Sequence, residues 1–129
     1  IKLLKKNGFI IFVITNQAGI ARGKLTNEML SKIHKKMQMD LLKHELYIDD
    51  VFYCPHSWNE GCFCRKPNPG MIFDAQKKYS LNLSKCYFIG DDERDMEAGM
   101  RAGCKCRMID KNNTIFDIVK EIVALEKKI

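Results

Sequence analysis

The segment Cys86-Tyr87-Phe88-Ile89-Gly90-Asp91-Asp92-Glu93-Arg94-Asp95 restricts the fold more than any other part of the chain. A short apolar run that ends in glycine and then in carboxylates reads as a buried strand leaving a sheet and turning into a helix. Gly90 permits the tight exit, and Asp91 and Asp95, four apart, share one side of the following turn. In α/β proteins that edge of the sheet is where ligands bind. The same carboxylates also suit ordinary capping and compensation of the helix dipole, so the segment alone leaves both readings open.

Two further strand ends decide between them. Phe9-Ile10-Ile11-Phe12-Val13-Ile14 runs into Thr15-Asn16-Gln17-Ala18-Gly19, and Asp50-Val51-Phe52-Tyr53 leads to a cysteine-rich loop that closes on Arg65-Lys66-Pro67. A hydroxyl and amide pair (Thr15, Asn16), a lysine (Lys66) and a carboxylate pair (Asp91, Asp95) at successive strand exits make a site for a phosphoryl group and a hard cation.

The cysteines carry a second signal. Cys54-x-His56, five intervening residues and Cys62-x-Cys64 put three thiols and an imidazole into the loop 54–64, enough for a closed tetrahedral zinc site. Pro55, Gly61 and the polar Ser57-Trp58-Asn59-Glu60 give that loop no core of its own, so a metal would organise it. Four ligands leave no open position, which makes the zinc structural. Disulfides or a redox pair are the alternatives. Cys86, Cys104 and Cys106 lie in apolar or alternating runs and read as core thiols, and the absence of a paired framework suits a reducing, cytoplasmic compartment.

The rest of the chain alternates between helix and strand signals. A helix from the start to about Asn7 leads to the first strand, and Thr26 caps a long helix whose apolar stripe is Leu30, Ile33, Met37 and Leu41. Asn68-Pro69 opens another helix with Ile72, Ala75 and Tyr79 inward. The helix after the acidic turn ends near Gly103, and Cys104 to Ile109 is the last strand. Thr114, with Asp117 three residues on, starts a terminal helix carrying Ile118, Ile122 and Leu125. His34 and His44 read as surface histidines. Repeated β-α-β order implies an α/β, Rossmann-like parallel sheet with helices on both faces. No segment is long enough for a separate cap, and residues 1–129 read as one domain.

The 129 residues include 22 Lys and Arg against 16 Asp and Glu, a formal charge of +6, with 46% hydrophobic residues. Lys32, Lys35, Lys36, Lys43, Lys127 and Lys128 are scattered over helices as solvated faces. Aromatic residues are not interleaved with them, so no nucleic-acid partner is expected. No apolar run reaches the roughly 20 residues that span a bilayer, so no membrane partner is expected either. A monomer is the expected state.

The order Val13-Ile14-Thr15-Asn16-Gln17-Ala18-Gly19-Ile20-Ala21-Arg22-Gly23, then Cys54-Pro55-His56 with Cys62-Phe63-Cys64-Arg65-Lys66-Pro67-Asn68-Pro69-Gly70-Met71, then Gly90-Asp91-Asp92-Glu93-Arg94-Asp95-Met96, resembles the haloacid dehalogenase superfamily. Within it, the likeness is to the D-glycero-D-manno-heptose 1,7-bisphosphate phosphatases and the related histidinol-phosphate phosphatases, and it runs from Ile1 to about Ile109. Members of that superfamily begin with a strand ending in Asp-x-Asp, the nucleophile and the general acid. This chain starts instead in a Lys-rich helix, which implies an N-terminally truncated domain with a gap between the strand ending at Thr15 and the one ending at Gly90.

The resemblance assigns roles to the remaining residues. Asp91 is the magnesium ligand, and Asp95 supports it or orients the lysine. Thr15 and Asn16 hold phosphoryl oxygens, Lys66 neutralises transition-state charge, and Arg65 adds a forked contact to a substrate phosphate, unless it pairs with a nearby carboxylate. The resemblance independently predicts the zinc at Cys54, His56, Cys62 and Cys64. Asp92 departs from the lysine often found after the motif aspartate in the heptose enzymes. The implied function is a capless, magnesium-dependent phosphatase of a small phosphorylated metabolite, acting through an aspartyl-phosphate. The spacing of the metal loop is closer to the histidinol-phosphate group, and Pro67-Asn68-Pro69-Gly70-Met71 is closer to the heptose group. A noncatalytic zinc-stabilised module is the other class that fits, and the chain alone is expected to be inactive.

Overall fold

The computed structural model describes residues 1–16, 26–54 and 66–126, with Asn16 described by its backbone alone. Contacts divide the chain into two compact units, Ile1–Cys62 and Phe63–Ile129.

The first unit runs α1 (Lys2–Lys6), β1 (Phe12–Asn16), α2 (Asn27–Leu42) and β2 (Asp50–Cys54). β1 and β2 pair in parallel, from Phe12 opposite Asp50 to Asn16 opposite Cys54. Parallel neighbours need a long crossover, and α2 supplies it. Thr26 caps α2 as its sequence predicts, its hydroxyl oxygen accepting the Met29 N–H at 3.0 Å. The inward stripe differs from the expected one. Leu30 is buried and Met37 and Leu41 partly so, but Ile33 is 55% exposed. His34, expected at the surface, is half-buried with its ring edge-on to Tyr53 at 6.0 Å, while His44 is exposed as expected.

Gln38 turns that face of α2 further toward polar contacts. Its Nε2 donates to the Ile48 carbonyl at 2.6 Å, and its Oε1 accepts the Ile48 N–H at 2.9 Å. The side-chain amide thus stands in for a strand partner just before β2. Asp49 does similar work one residue on: its carboxylate accepts the Ile11 N–H at 2.6 Å and pairs with Lys5, whose ammonium lies 4.0 Å from the Tyr47 ring centroid. These contacts fix the short α1 to the start of the β1–β2 ribbon.

The second unit runs α3 (Gly70–Tyr79), a 3-10 turn (Leu83–Lys85), β3 (Tyr87–Gly90), α4 (Glu93–Ala102), β4 (Lys105–Met108) and α5 (Ile115–Glu126). β3 and β4 are parallel, from Tyr87 opposite Lys105 to Gly90 opposite Met108. Met71, Ile72, Ala75, Leu83, Ala98, Ala102, Ile118, Val119, Ile122 and Val123 are buried. A Cβ built on Gly99 would lie 2.6 Å from Cys106 Sγ and 2.9 Å from Phe88 Cδ1, so α4 lies as close to its ribbon as a glycine allows. Thr114 and Asp117 form the expected capping box: the Thr114 N–H donates to Asp117 Oδ2 at 3.1 Å, and the Asp117 N–H donates to Thr114 Oγ1 at 3.2 Å.

Four sequence expectations are corrected in this unit. Tyr79 and Leu125 are exposed, because both lie in the last turns of their helices, past the reach of the core. Pro69 occupies the cap position of α3 without a side-chain bond, while Asn68 Oδ1 accepts from Arg101 Nη1 at 3.0 Å. Cys86, Cys104 and Cys106 are free thiols but only partly buried. Even partial desolvation raises each thiol pKa, that of Cys104 to about 11.

Parallel strands and helices are present, as an α/β fold requires. Among the described residues, strand pairing is confined to the two ribbons, so β1 and β3 each use one of their two edges. No described helix is long and apolar enough to cross a membrane.

Gln38→Ala should lower the unfolding free energy by about 1–3 kcal/mol, since it strips both partners from the buried Ile48 peptide groups. Urea denaturation measures this, and an unchanged midpoint would show that water replaces the amide without cost.

Candidate functional site

Gly90 ends β3 for a steric reason. A Cβ there would lie 2.4 Å from Asp95 Cβ and 2.5 Å from Asp95 Oδ2, so the strand end and the first turn of α4 meet at a distance only glycine tolerates. That contact seats the Asp95 carboxylate, 7% exposed, directly over the strand exit. Asp95 Oδ1 accepts from Lys66 Nζ at 2.5 Å, and Oδ2 accepts the Asp91 N–H at 3.3 Å. One buried carboxylate therefore joins three pieces of chain: the end of β3, the start of α4 and the segment that leads into α3. The last piece is held twice, because Arg101 near the end of α4 donates to Asn68 Oδ1 and also pairs with Glu97 Oε1 at 2.5 Å.

Asp91 differs from its neighbours. It is exposed at the strand end, and its carboxylate has no hydrogen bond or ion pair among the described residues. Asp92 caps α4, its Oδ1 accepting the Arg94 N–H at 2.8 Å, and it also takes the Arg94 guanidinium at 3.2 and 3.4 Å. The Arg94 side chain, then its N–H, hold the Asp92 carboxyl below its ordinary range, and Lys66 adds to this. Asp91 and Glu93 carry the unengaged carboxylates of this turn, and Asp91, at the strand end itself, is a hard oxygen donor of the kind magnesium takes one or two of, together with phosphate and water. The residues fit that ion. Asp95, engaged twice, fits the supporting place rather than a ligand's.

The first unit carries the other expected groups. Thr15 lies at the C-terminal end of β1 opposite Tyr53, partly buried, and Asn16 follows opposite Cys54. Cys54 is fully buried. His56, Cys62, Cys64 and Arg65 lie outside the described residues, so three of the four expected zinc ligands do too. Among the described residues, no three His, Cys, Asp or Glu side chains gather around a metal position.

The structure brings Lys66 and the Asp91 N–H together on Asp95, a pairing that the sequence leaves open. The sequence reading attributes Gly90 to a tight exit, whereas the close approach of Asp95 is what excludes a side chain. The sequence reading also passes over Arg101, whose i,i+4 spacing from Glu97 is the local signal for their pairing, and over Arg94, whose pairing with the cap residue Asp92 has no such spacing signal.

Gly90→Ala should push Asp95 off the strand end, separate it from Lys66 and lower stability by about 1–3 kcal/mol. A urea midpoint equal to that of the parent chain would contradict this packing.

The HAD-hydrolase-like family profile matches residues 63–119. The chain is 39% identical over 110 residues to a D-glycero-alpha-D-manno-heptose-1,7-bisphosphate 7-phosphatase of Photorhabdus laumondii, covering 80% of this chain and 60% of the relative. It is 36% identical over 110 residues to a D-glycero-beta-D-manno-heptose-1,7-bisphosphate 7-phosphatase of Bordetella bronchiseptica, covering 85% of this chain and 62% of that protein. The chain thus spans about three fifths of the length of these curated relatives. Among solved structures, it is similar to a D,D-heptose 1,7-bisphosphate phosphatase from B. bronchiseptica complexed with magnesium and phosphate, with a TM-score of 0.83 and 29% identity over 98% of this chain and 79% of that one. A lysine–carboxylate pair beside an aspartate with no carboxylate partner among the described residues stands at a parallel strand's end, and in profile, sequence and fold the chain is similar to hydrolases of the haloacid dehalogenase superfamily.

Proposed function

We propose that this chain is most of a single capless domain of a cytoplasmic, monomeric, magnesium-dependent phosphatase whose substrate is a heptose 1,7-bisphosphate. The observation that carries this reading is the Lys66–Asp95 pair beside the unengaged Asp91 carboxylate at the end of β3. Phosphoryl transfer needs positioned positive charge around the transferring group and a carboxylate nucleophile in line with phosphorus. Lys66 is the fixed ammonium for the developing charge. Thr15 and Asn16, at the end of β1, hold phosphoryl oxygens through hydroxyl, amide and backbone N–H groups, and Arg65 reaches a substrate phosphate. A magnesium ion held by Asp91 supplies further neutralisation of the phosphoryl oxygens. The sequence contains no Asp-x-Asp, so the nucleophile and general acid are assigned to a segment outside residues 1–129. The names of the relatives support a heptose bisphosphate as substrate. The five residues between His56 and Cys62 keep histidinol phosphate as the second candidate.

The loop 54–64 is assigned a structural zinc on Cys54, His56, Cys62 and Cys64. Support comes from the ligand spacing and from Cys54, a buried cysteine at the end of β2. With Arg65 and Lys66 directly after the last ligand, the zinc would also set the approach of the lysine. Metal analysis of protein purified without chelator should find about one zinc per molecule, reduced in a Cys62→Ser/Cys64→Ser variant. A zinc-free parent protein would refute the assignment.

The activity is tested in a protein that carries this chain together with an upstream Asp-x-Asp segment. Magnesium-dependent phosphate release from the heptose bisphosphate should exceed that from histidinol phosphate. Asp91→Ala should abolish it with zinc content and fold unchanged, and Lys66→Ala should lower kcat by about 10²–10³-fold. Residues 1–129 alone should not turn over. Robust turnover by them that disappears in Asp91→Asn, or a Lys66→Ala effect confined to KM, would overturn the division of roles.

A further inference from the structure

The first turn of α4 holds a cation where the helix backbone favours an anion. Arg94 is the second residue of that helix. It is kept there by Asp92: Nε donates to Oδ1 at 3.2 Å and Nη2 donates to Oδ2 at 3.4 Å. Stability is a poor reason for the arrangement, because Asp92 already caps the helix by accepting the Arg94 N–H, and an exposed ion pair adds little. The guanidinium does gain an orientation. Its side chain is 57% exposed, and Nη1 has no partner among the described residues. A planar guanidinium held by one edge presents its other edge as a fork for an oxyanion. The pKa of Arg94 is raised first by its hydrogen bond to Asp92, with Asp95 adding to this.

Two cations of different character thus stand near the end of β3. Lys66 is largely enclosed, 17% exposed against Asp95, while Arg94 is open to solvent on a fixed support. We propose that Arg94, oriented by Asp92, is a specificity-determining residue that receives the second, non-transferred phosphoryl group of a bisphosphorylated substrate. The inference rests on the phosphatase reading of this site. A bisphosphate meets both cations, whereas a monoester without a second anion meets only the enclosed one.

The test compares a heptose bisphosphate with p-nitrophenyl phosphate in the protein that carries this chain with an upstream Asp-x-Asp segment. Arg94→Ala should cut the preference for the bisphosphate, as the ratio of the two kcat/KM values, by about 10–100-fold, the usual scale for a charge-assisted hydrogen bond. The loss should lie mainly in KM, and Arg94→Lys should recover part of it. Asp92→Asn, which loosens the support, should move the ratio in the same direction by less. Equal losses on both substrates, with a lowered melting temperature, would reduce Arg94 to a structural role and overturn the inference. A parent protein that hydrolyses neither substrate overturns the phosphatase reading itself and this inference with it.

Discussion

The ion pair between Lys66 and Asp95, closed over Gly90, is the contact on which the arrangement of the site depends. Removing a carboxylate and an ammonium from water costs several kcal/mol per ion, and only good geometry with further hydrogen bonds offsets it. Asp95 meets that condition by using both oxygens, one for the lysine and one for the Asp91 N–H. Breaking either contact leaves a buried charge with less compensation, so the pair resists small displacements. Its value here is positional. The strand end, the first turn of α4 and the segment entering α3 are referred to a single carboxylate, and Asp91 inherits a fixed place as the next residue after Gly90.

Packing farther along α4 makes that contact possible. The helix meets its ribbon at Gly99, and the absence of bulk there lets it lie close to Phe88 and Cys106. A larger residue at position 99 would lift the helix, and with it the turn that brings Asp95 to the strand end. α2, the crossover of the other unit, works differently. Its inner face includes His34 and Gln38, and the amide of Gln38 pairs with the Ile48 peptide in place of a neighbouring strand. Both crossovers serve the same topological need, yet one is fixed by close apolar packing and the other by hydrogen bonding.

This contrast explains which features could be read from the sequence. Caps are local, so Thr26 and the Thr114–Asp117 box stand where their side chains indicate. The acidic turn after an apolar run is equally legible as a strand exit entering a helix, with Asp91 and Asp95 in that turn. The inward face of α2 was not legible, because Ile33 and His34 are adjacent and the choice between them is made by Tyr53 and by the Gln38–Ile48 pairing, neither of which is local. Asn68 looks like a cap in isolation, but Arg101, distant in sequence, takes its side chain. The half-burial of Cys86, Cys104 and Cys106 follows from the edges of a two-stranded ribbon, whereas alternation along a strand specifies only faces.

Charge pairing at the end of β3 separates the roles of residues that look alike in sequence. Residues 91–95 contain four carboxylates and one guanidinium, a composition that by itself repels phosphate. Pairing changes that balance residue by residue. Lys66 neutralises Asp95, Arg94 neutralises Asp92, and Glu93 lies at the positive end of the α4 dipole. The Asp91 carboxylate is left with its charge uncompensated among the described residues, at the one position where the strand opens to solvent. An anionic group cannot approach such a strand end favourably until a cation sits on that carboxylate. The proposed magnesium therefore does more than complete a family likeness, because it would reverse the sign of a charge at the strand end that has no ion-pair partner among the described residues.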